Sequence, residues 1–251
     1  MNQSILSNSP TSATRVVARG ASPSSVLPGS RMTQSRIIGA LFLAGFLVYG
    51  VGFSLVTSLV GHSNFLASIA LHQSLLALGA FLMLLSVPVD LGKAVLFFPI
   101  LEKHSKRTAL AYLATMIVEV VFLTIGVLAL LMIVPLAQHA GDPGSTTLGS
   151  ILVQLNGMAY QIGEMTVGVG ATFLCVVLYL SRLVPRWLAI SGLIGYPCLV
   201  AGTVAELFQV HIGLQLTMPG FFFELVLPAW LLIKGFQPAA YQGPRSVESA
   251  A

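Results

Sequence analysis

The sequence predicts an all-α integral membrane protein, a bundle of six transmembrane helices with both termini in the cytoplasm. Three observations lead to this prediction: an apolar composition, six long apolar segments, and a one-sided distribution of basic residues. The 251 residues are 56% hydrophobic and 8% charged, with a mean hydropathy of +0.90. Since a soluble domain carries about 25% charged residues, lipid is the expected solvent of this chain.

Six apolar segments are each long enough to cross a bilayer. A transmembrane helix needs about 20 residues, and in lipid a helix satisfies every backbone polar group within its own segment. The alternating segments of about ten residues that build membrane β-barrels are absent. The sequence therefore predicts one transmembrane domain over residues 36–236, with spans at about 37–60, 71–101, 109–136, 148–180, 187–207 and 212–236.

Basic residues predict the orientation of these spans, because loops rich in Lys and Arg stay in the cytoplasm. Eleven of the twelve Lys and Arg residues precede the first span, follow the last, or lie between spans two and three or four and five. The twelfth, Lys93, lies within the second span. The formal net charge of +4 is thus a topology signal. No basic patch interleaved with aromatic residues indicates a nucleic-acid partner.

Two polar tails flank the transmembrane domain. Residues 1–35 contain Ser, Pro and Arg but no acidic residue, so we expect a disordered cytoplasmic tail. Two alternatives remain open: translation that starts at Met32, and an organelle transit peptide, which is also rich in Arg and Ser. Residues 237–251 are expected to form a second cytoplasmic tail.

Five charged residues inside the predicted spans are the candidate site: Asp90, Lys93, Glu119, Glu164 and Glu224. Each ionised residue at a helix centre costs about 2.5–3.5 kcal/mol on insertion scales, so these side chains must face the bundle interior, form pairs or hold a proton. With a helical rise of about 1.5 Å per residue, all except Glu164 fall near the midplane of the bilayer.

Helical spacing predicts that polar faces converge on this site. One face of the third span presents Thr108, Tyr112, Thr115 and Glu119, and one face of the fourth presents Gln154, Gly157, Gln161, Glu164 and Gly168. On the second span, Asp90 and Lys93 are neighbours at i and i+3. We therefore expect one polar centre shared by several helices.

The charge balance of this centre allows two interpretations. One lysine can hold about one acid ionised, so the surplus acids are expected to be neutral near pH 7 and able to exchange protons. The functional interpretation is a site that binds a proton or a small solute. The structural interpretation is a buried ion pair with hydrogen bonds that fix the register of the helices.

Motifs for metal or cofactor chemistry are absent from the sequence. Four histidines lie near the predicted outer side, together with Asp142 and Glu206, but without metal-binding spacing; they are His62, His72, His139 and His211. The sequence has no nucleotide-binding loop and no nucleophile elbow. We therefore predict no metal site and no cofactor, and the lack of a nucleophile–base pair disfavours an enzyme.

Three stretches resemble one protein family. They are SRIIGALFLAGFLVYGVG in the first span, YQIGEMTVGVG to YLSRLVPRWLAISGLIGYP over the fourth and fifth, and FFFELVLPAWLLIKGF at the end of the sixth. Over residues 36–236 the chain resembles the DUF4386 family of uncharacterised bacterial integral membrane proteins. The resemblance implies a multi-pass protein of the bacterial plasma membrane, with polar residues at the positions of Asp90 and Glu119. It implies no particular substrate.

The leading hypothesis is a polytopic membrane protein whose buried cluster of acids and lysine binds a proton or a small solute. Two alternatives stay open: a proton-coupled secondary transporter, and a structural or regulatory membrane subunit. The expected partners are the lipid bilayer and that proton or solute, and the sequence does not indicate an oligomeric state.

Overall fold

The computed structural model describes residues 28–241, and over these residues the chain is helical, without a strand. Six of its helices are long and apolar enough to cross a membrane, which confirms the predicted all-α, six-span fold. The long helices are α1 (Pro28–Val60), α3 (Gln73–Glu102), α4 (Lys106–Leu131), α6 (Pro143–Leu180), α7 (Arg186–Leu207) and α8 (Gly213–Ile233). Two short helices, α2 (Phe65–Leu71) and α5 (Ile133–Ala137), flank α3 and α4. The predicted tails lie outside the described residues over 1–27 and 242–251.

The six long helices form a ring in chain order. Each packs against the next, in the order α1, α3, α4, α6, α7 and α8, and α8 returns to pack against α1. Short connections make neighbouring helices antiparallel, so the connections gather at two ends of the bundle. The basic end carries Arg36, Lys103, Lys106, Arg107, Arg182, Arg186 and Lys234, and the far end holds α2, α5 and the loops 61–64, 138–142 and 208–212.

Local chemistry moves several helix boundaries away from the predicted ones. Helix α6 begins at Pro143, before the predicted start at residue 148, because Asp142 accepts hydrogen bonds from the backbone N–H (3.0 Å) and hydroxyl (3.1 Å) of Ser145. An Asp at the N-cap followed by Pro in the first turn is a standard helix start. Helix α1 already begins at Pro28, so that residues 28–35, which were assigned to the disordered tail, are helical.

Proline and glycine explain two further differences. The third predicted span divides at Met132 into α4 and α5, because Pro135 has no N–H and its ring clashes with the carbonyl one turn earlier. The last span ends at Ile233 and not at residue 236. There Gly235 adopts φ +71° and donates its N–H to the Trp230 carbonyl at 3.2 Å, a left-handed helix end that favours glycine.

The bundle has one apolar core at each end, and the two cores are built from different sets of helices. At the basic end all six long helices contribute buried side chains, among them Ile38, Phe97, Tyr112, Leu174, Leu188 and Phe223. At the far end the core is built from α1 to α6, with Val56, Phe65, Met83 and Leu130 among its members. Within the described residues, α7 and α8 supply no side chain to that second core. The bundle is therefore packed through at the basic end and incompletely filled at the far end.

Candidate functional site

A cavity of about 370 Å³ lies inside the ring, and all six long helices line it. The five charged residues predicted from the sequence all lie in its wall: Asp90 and Lys93 on α3, Glu119 on α4, Glu164 on α6 and Glu224 on α8. The spans thus bring together side chains that are up to 134 positions apart in the chain (224 − 90). The roles of these residues in binding remain a prediction.

An ion pair occupies the α3 wall of the cavity. Lys93 Nζ lies 2.6 Å from Asp90 Oδ1 and 4.7 Å from the ring centroid of Phe42. On the facing helix, a Cβ at Gly45 would lie 2.9 Å from that same Asp90 oxygen. Glycine at position 45 therefore lets α1 approach the ion pair closely.

Glu119 is the least compensated of the charged groups. Its side chain lines the cavity and the residue is only 6% exposed. Its Oε2 atom is buried and has no hydrogen-bond partner among the described residues. A buried polar atom in a native protein is almost always hydrogen-bonded, so the unpartnered oxygen of Glu119 is an exception that needs an explanation.

The other two acids are half-buried and lie beside tyrosines. The Tyr196 hydroxyl on α7 donates to Glu224 Oε1 at 3.2 Å. Tyr160 precedes Glu164 by one turn on α6, and both line the cavity. Neutral tyrosine hydroxyl groups therefore lie beside these two acids, in the place where basic side chains would otherwise be needed to compensate a negative charge.

Four of the six tyrosines line this cavity: Tyr49, Tyr112, Tyr160 and Tyr196. The sequence placed Tyr112 on the polar face of the third span, but it did not assign the other three to the site. Tyr49 stacks on Tyr160 at 5.9 Å between ring centroids, and Phe53 stacks on both at 6.1–6.2 Å. Their position was the available signal, because tyrosines of membrane proteins concentrate at the bilayer interfaces and these lie well inside spans.

The predicted polar faces match the cavity only in part. Tyr112 and Glu119 of the third span line it, as does Glu164 of the fourth. Gln154 and Gly157, however, are exposed on the outside of the bundle. The predicted polar face of α6 therefore reaches the cavity at Glu164 but not at Gln154 or Gly157.

The cavity opens at the seam between α1 and α8. Residues on both helices line the cavity and are exposed at the same time, namely Phe46, Gly50, Phe53, Leu214, Met218 and Phe221. Toward the basic end the cavity is closed by Phe97, whose ring contacts those of Phe42, Tyr112 and Phe236 at 5.3–6.3 Å. Access is thus lateral and toward the far end.

Metal-binding geometry does not occur within residues 28–241, where no three His, Cys, Asp or Glu side chains are grouped to hold an ion. Of the outer histidines, His211 pairs with Glu206 at 3.1 Å. That carboxylate also accepts the Gly213 N–H at 2.9 Å, so the contact secures the turn between α7 and α8.

Comparisons with known proteins agree with the fold. Neither the curated proteins nor the solved structures contain a match to this chain. One family, described as a domain of unknown function (DUF4386), matches residues 37–235, from the first span to the end of the last. The chain, a multi-pass bundle of six apolar helices, therefore belongs to the DUF4386 family, whose match covers all six spans.

Proposed function

We propose that the cavity is a binding site shared by a small solute and a proton, in a bacterial plasma membrane. The observation that carries the proposal is the carboxyl group of Glu119: the residue lines the cavity, and its buried Oε2 atom has no partner among the described residues. An unpaired carboxylate in a low-dielectric site is so costly that the group holds a proton instead. Glu119 is then neutral at rest and ionises when a compensating charge arrives.

Infrared difference spectroscopy of the purified protein tests the protonation directly. A step from neutral to alkaline pH should remove the carbonyl stretch of a protonated carboxyl group in the wild type. Glu119→Gln should lose the part of that band that belongs to Glu119, so its amplitude should fall below that of the wild type. Glu102→Gln is the matched control and should keep the full amplitude, because Glu102 is exposed at the basic end and does not line the cavity. An undiminished band in Glu119→Gln would remove Glu119 from the proposal.

A proton-coupled secondary transporter is the second candidate, and the unequal closure of the bundle favours it. The cavity reaches the surface toward the far end and is sealed by the Phe97 cluster at the basic end. Transporters bind substrate near the midplane and alternate between openings on the two sides. The distribution of basic residues supports placing the basic end in the cytoplasm, in which case this conformation is outward-facing.

Reconstituted vesicles with a trapped pH-sensitive dye test this candidate. Gradients of glucose, alanine, lactate and benzyltrimethylammonium are imposed one at a time, and the internal pH is recorded. A coupled transporter moves protons with at least one of these gradients, and Glu119→Gln abolishes the movement. If the wild type moves no more protons than protein-free vesicles with any of the four gradients, proton-coupled transport of these solute classes is excluded. The alternative of a structural or regulatory subunit then gains weight.

A further inference from the structure

The charge and the aromatic lining of the cavity narrow its ligand to one chemical class. Resting on the function proposed above, we propose that the cavity takes an organic cation that carries an apolar group, such as an alkyl or aryl ammonium. Three features carry the inference: the balance of charges in the wall, the stacked rings beside the acids, and the apolar opening. The volume of about 370 Å³ suits a small organic molecule, since such sites span about 300–1,000 Å³.

The charge balance favours a cation over an anion. Among the described residues that line the cavity, four are acidic and one, Lys93, is basic. The Lys93 ammonium is already paired with Asp90 at 2.6 Å, so an anionic ligand meets no free counter-charge. A cationic ligand instead finds in the cavity wall the carboxyl group of Glu119, whose buried Oε2 atom has no hydrogen-bond partner among the described residues. Opposite charges attract strongly in such a water-poor site.

The aromatic side chains supply the second half of an ammonium site. Rings of Tyr, Phe and Trp attract a cation placed within about 6 Å of the ring centroid. Tyr49, Phe53 and Tyr160 form a stacked group in the cavity wall. The Lys93 ammonium lies 4.7 Å from the centroid of Phe42 in the same cavity. One ring of the wall thus already holds a cation in the geometry that we propose for the ligand.

The opening predicts the apolar portion of the ligand. Its exposed lining consists of Phe, Leu, Met and Gly residues of α1 and α8 and contains no charged residue among those described. Leu214 is 72% exposed at the start of α8, and Phe221 is 42% exposed about 10 Å further along the helix. An amphiphilic cation that partitions into the bilayer would reach the acids through this window.

Calorimetric titration of the purified protein tests this ligand class with three aryl probes, of which one is cationic, one neutral and one anionic. They are benzyltrimethylammonium, phenylacetamide and phenylacetate. The cation should bind at least about tenfold more tightly than the other two. The double variant Tyr49→Leu/Tyr160→Leu should lose about tenfold in affinity for the cation, whereas Tyr49→Phe/Tyr160→Phe keeps the ring faces and the affinity.

Each contrary outcome has a separate meaning. Equal affinity for all three probes, or tighter binding of phenylacetate, overturns the cation class. The same holds if the Phe and Leu double variants lose affinity equally. Absence of binding by every probe, while the Glu119 carboxyl band still titrates, overturns this inference and leaves the proton site intact. Absence of that band from the wild type already at neutral pH would instead refute the proposed function.

The route through the window has a matched pair of variants. A Cβ at Gly50 or at Gly157 would meet no atom within 4 Å, and both glycines are exposed, but only Gly50 lines the cavity. Gly50→Trp should slow association of benzyltrimethylammonium about tenfold, while Gly157→Trp should leave its rate unchanged. Equal rates in the two variants would overturn access between α1 and α8.

Discussion

At the residue scale, the charged side chains of the spans differ in how completely their neighbours compensate them. Lys93 has a carboxylate at 2.6 Å and a ring face at 4.7 Å, and Glu224 receives a hydroxyl at 3.2 Å. Glu119 Oε2 has neither kind of partner among the described residues. The cavity therefore combines one ion pair with one carboxyl group that lacks a partner, and we propose that a proton compensates this group.

Lys93 provides the first test at this scale. Lys93→Met leaves the Asp90 carboxylate buried without its partner, and breaking a buried pair in this way costs about 3–5 kcal/mol. Lys93→Met/Asp90→Asn removes both charges and should be destabilised less than the single variant. The free energy of unfolding in detergent titrations measures both. Equal destabilisation of the single and double variants would show that the two groups are not coupled.

The acids and the tyrosines of the site differed in how visible they were in the sequence. Asp90 and Glu119 stood out because a charge inside a span is rare and costly. Tyr49 and Tyr160 gave a weaker signal, which is only their distance from the bilayer interfaces where tyrosines of membrane proteins concentrate. What makes them part of the site is the ring stacking between α1 and α6. That contact depends on tertiary packing, which hydropathy does not report.

At the element scale, the helices followed from hydropathy, while their ends depended on individual residues. The six apolar spans were predicted because lipid leaves the backbone no alternative to a helix. Their boundaries depended on local signals such as the Asp142–Pro143 start and the Gly235 end, which a search for apolar segments passes over. Apolar segments also cannot show that Pro135 divides α4 from α5.

The N-cap of α6 gives a pH-dependent prediction. Hydrogen bonds from the backbone N–H and then the hydroxyl of Ser145 hold the pKa of Asp142 below its ordinary value of 3.8. Because the folded pKa is the lower one, the cap stabilises fully above the ordinary value, and the stabilisation is lost as the pH falls through the folded pKa. Asp142→Ala should unfold a few degrees below the wild type at neutral pH.

Thermal unfolding in detergent over a series of pH values measures this effect. The gap between wild type and Asp142→Ala should narrow at pH values below about 3.8. Asp142→Asn keeps an acceptor at the cap and should stay close to the wild type at neutral pH. A gap that is constant with pH would mean that the carboxylate does not stabilise the helix start.

The crossing of α1 and α3 provides a second prediction at this scale. A Cβ at Gly52 would lie 2.6 Å from the Gly79 carbonyl oxygen, and one at Gly79 would lie 2.9 Å from the Gly52 oxygen. Gly52→Val should therefore cost at least about 1–3 kcal/mol through overpacking. Gly50→Val is the control, because position 50 lies two residues earlier on α1 and a Cβ there would meet no atom within 4 Å. Equal unfolding free energies for the two variants would refute the close crossing.

At the scale of the whole molecule, the ring of six helices brings polar residues from distant parts of the sequence together around one cavity. Each helix contributes a few lining residues, and none carries the site alone. The sequence predicted convergence of the charges, because lipid rejects them. It did not predict the volume, the aromatic wall or the unequal closure of the two ends, which depend on how side chains from all six helices pack.

The central claim is that solute and proton share the cavity, and proton release on binding tests it most directly. In weakly buffered detergent solution, benzyltrimethylammonium is titrated into wild type and into Glu119→Gln, and the released protons are counted with a pH indicator. By linkage, the wild type should release about one proton per cation bound, and Glu119→Gln should release none. Binding of the cation to the wild type without proton release would contradict the claim.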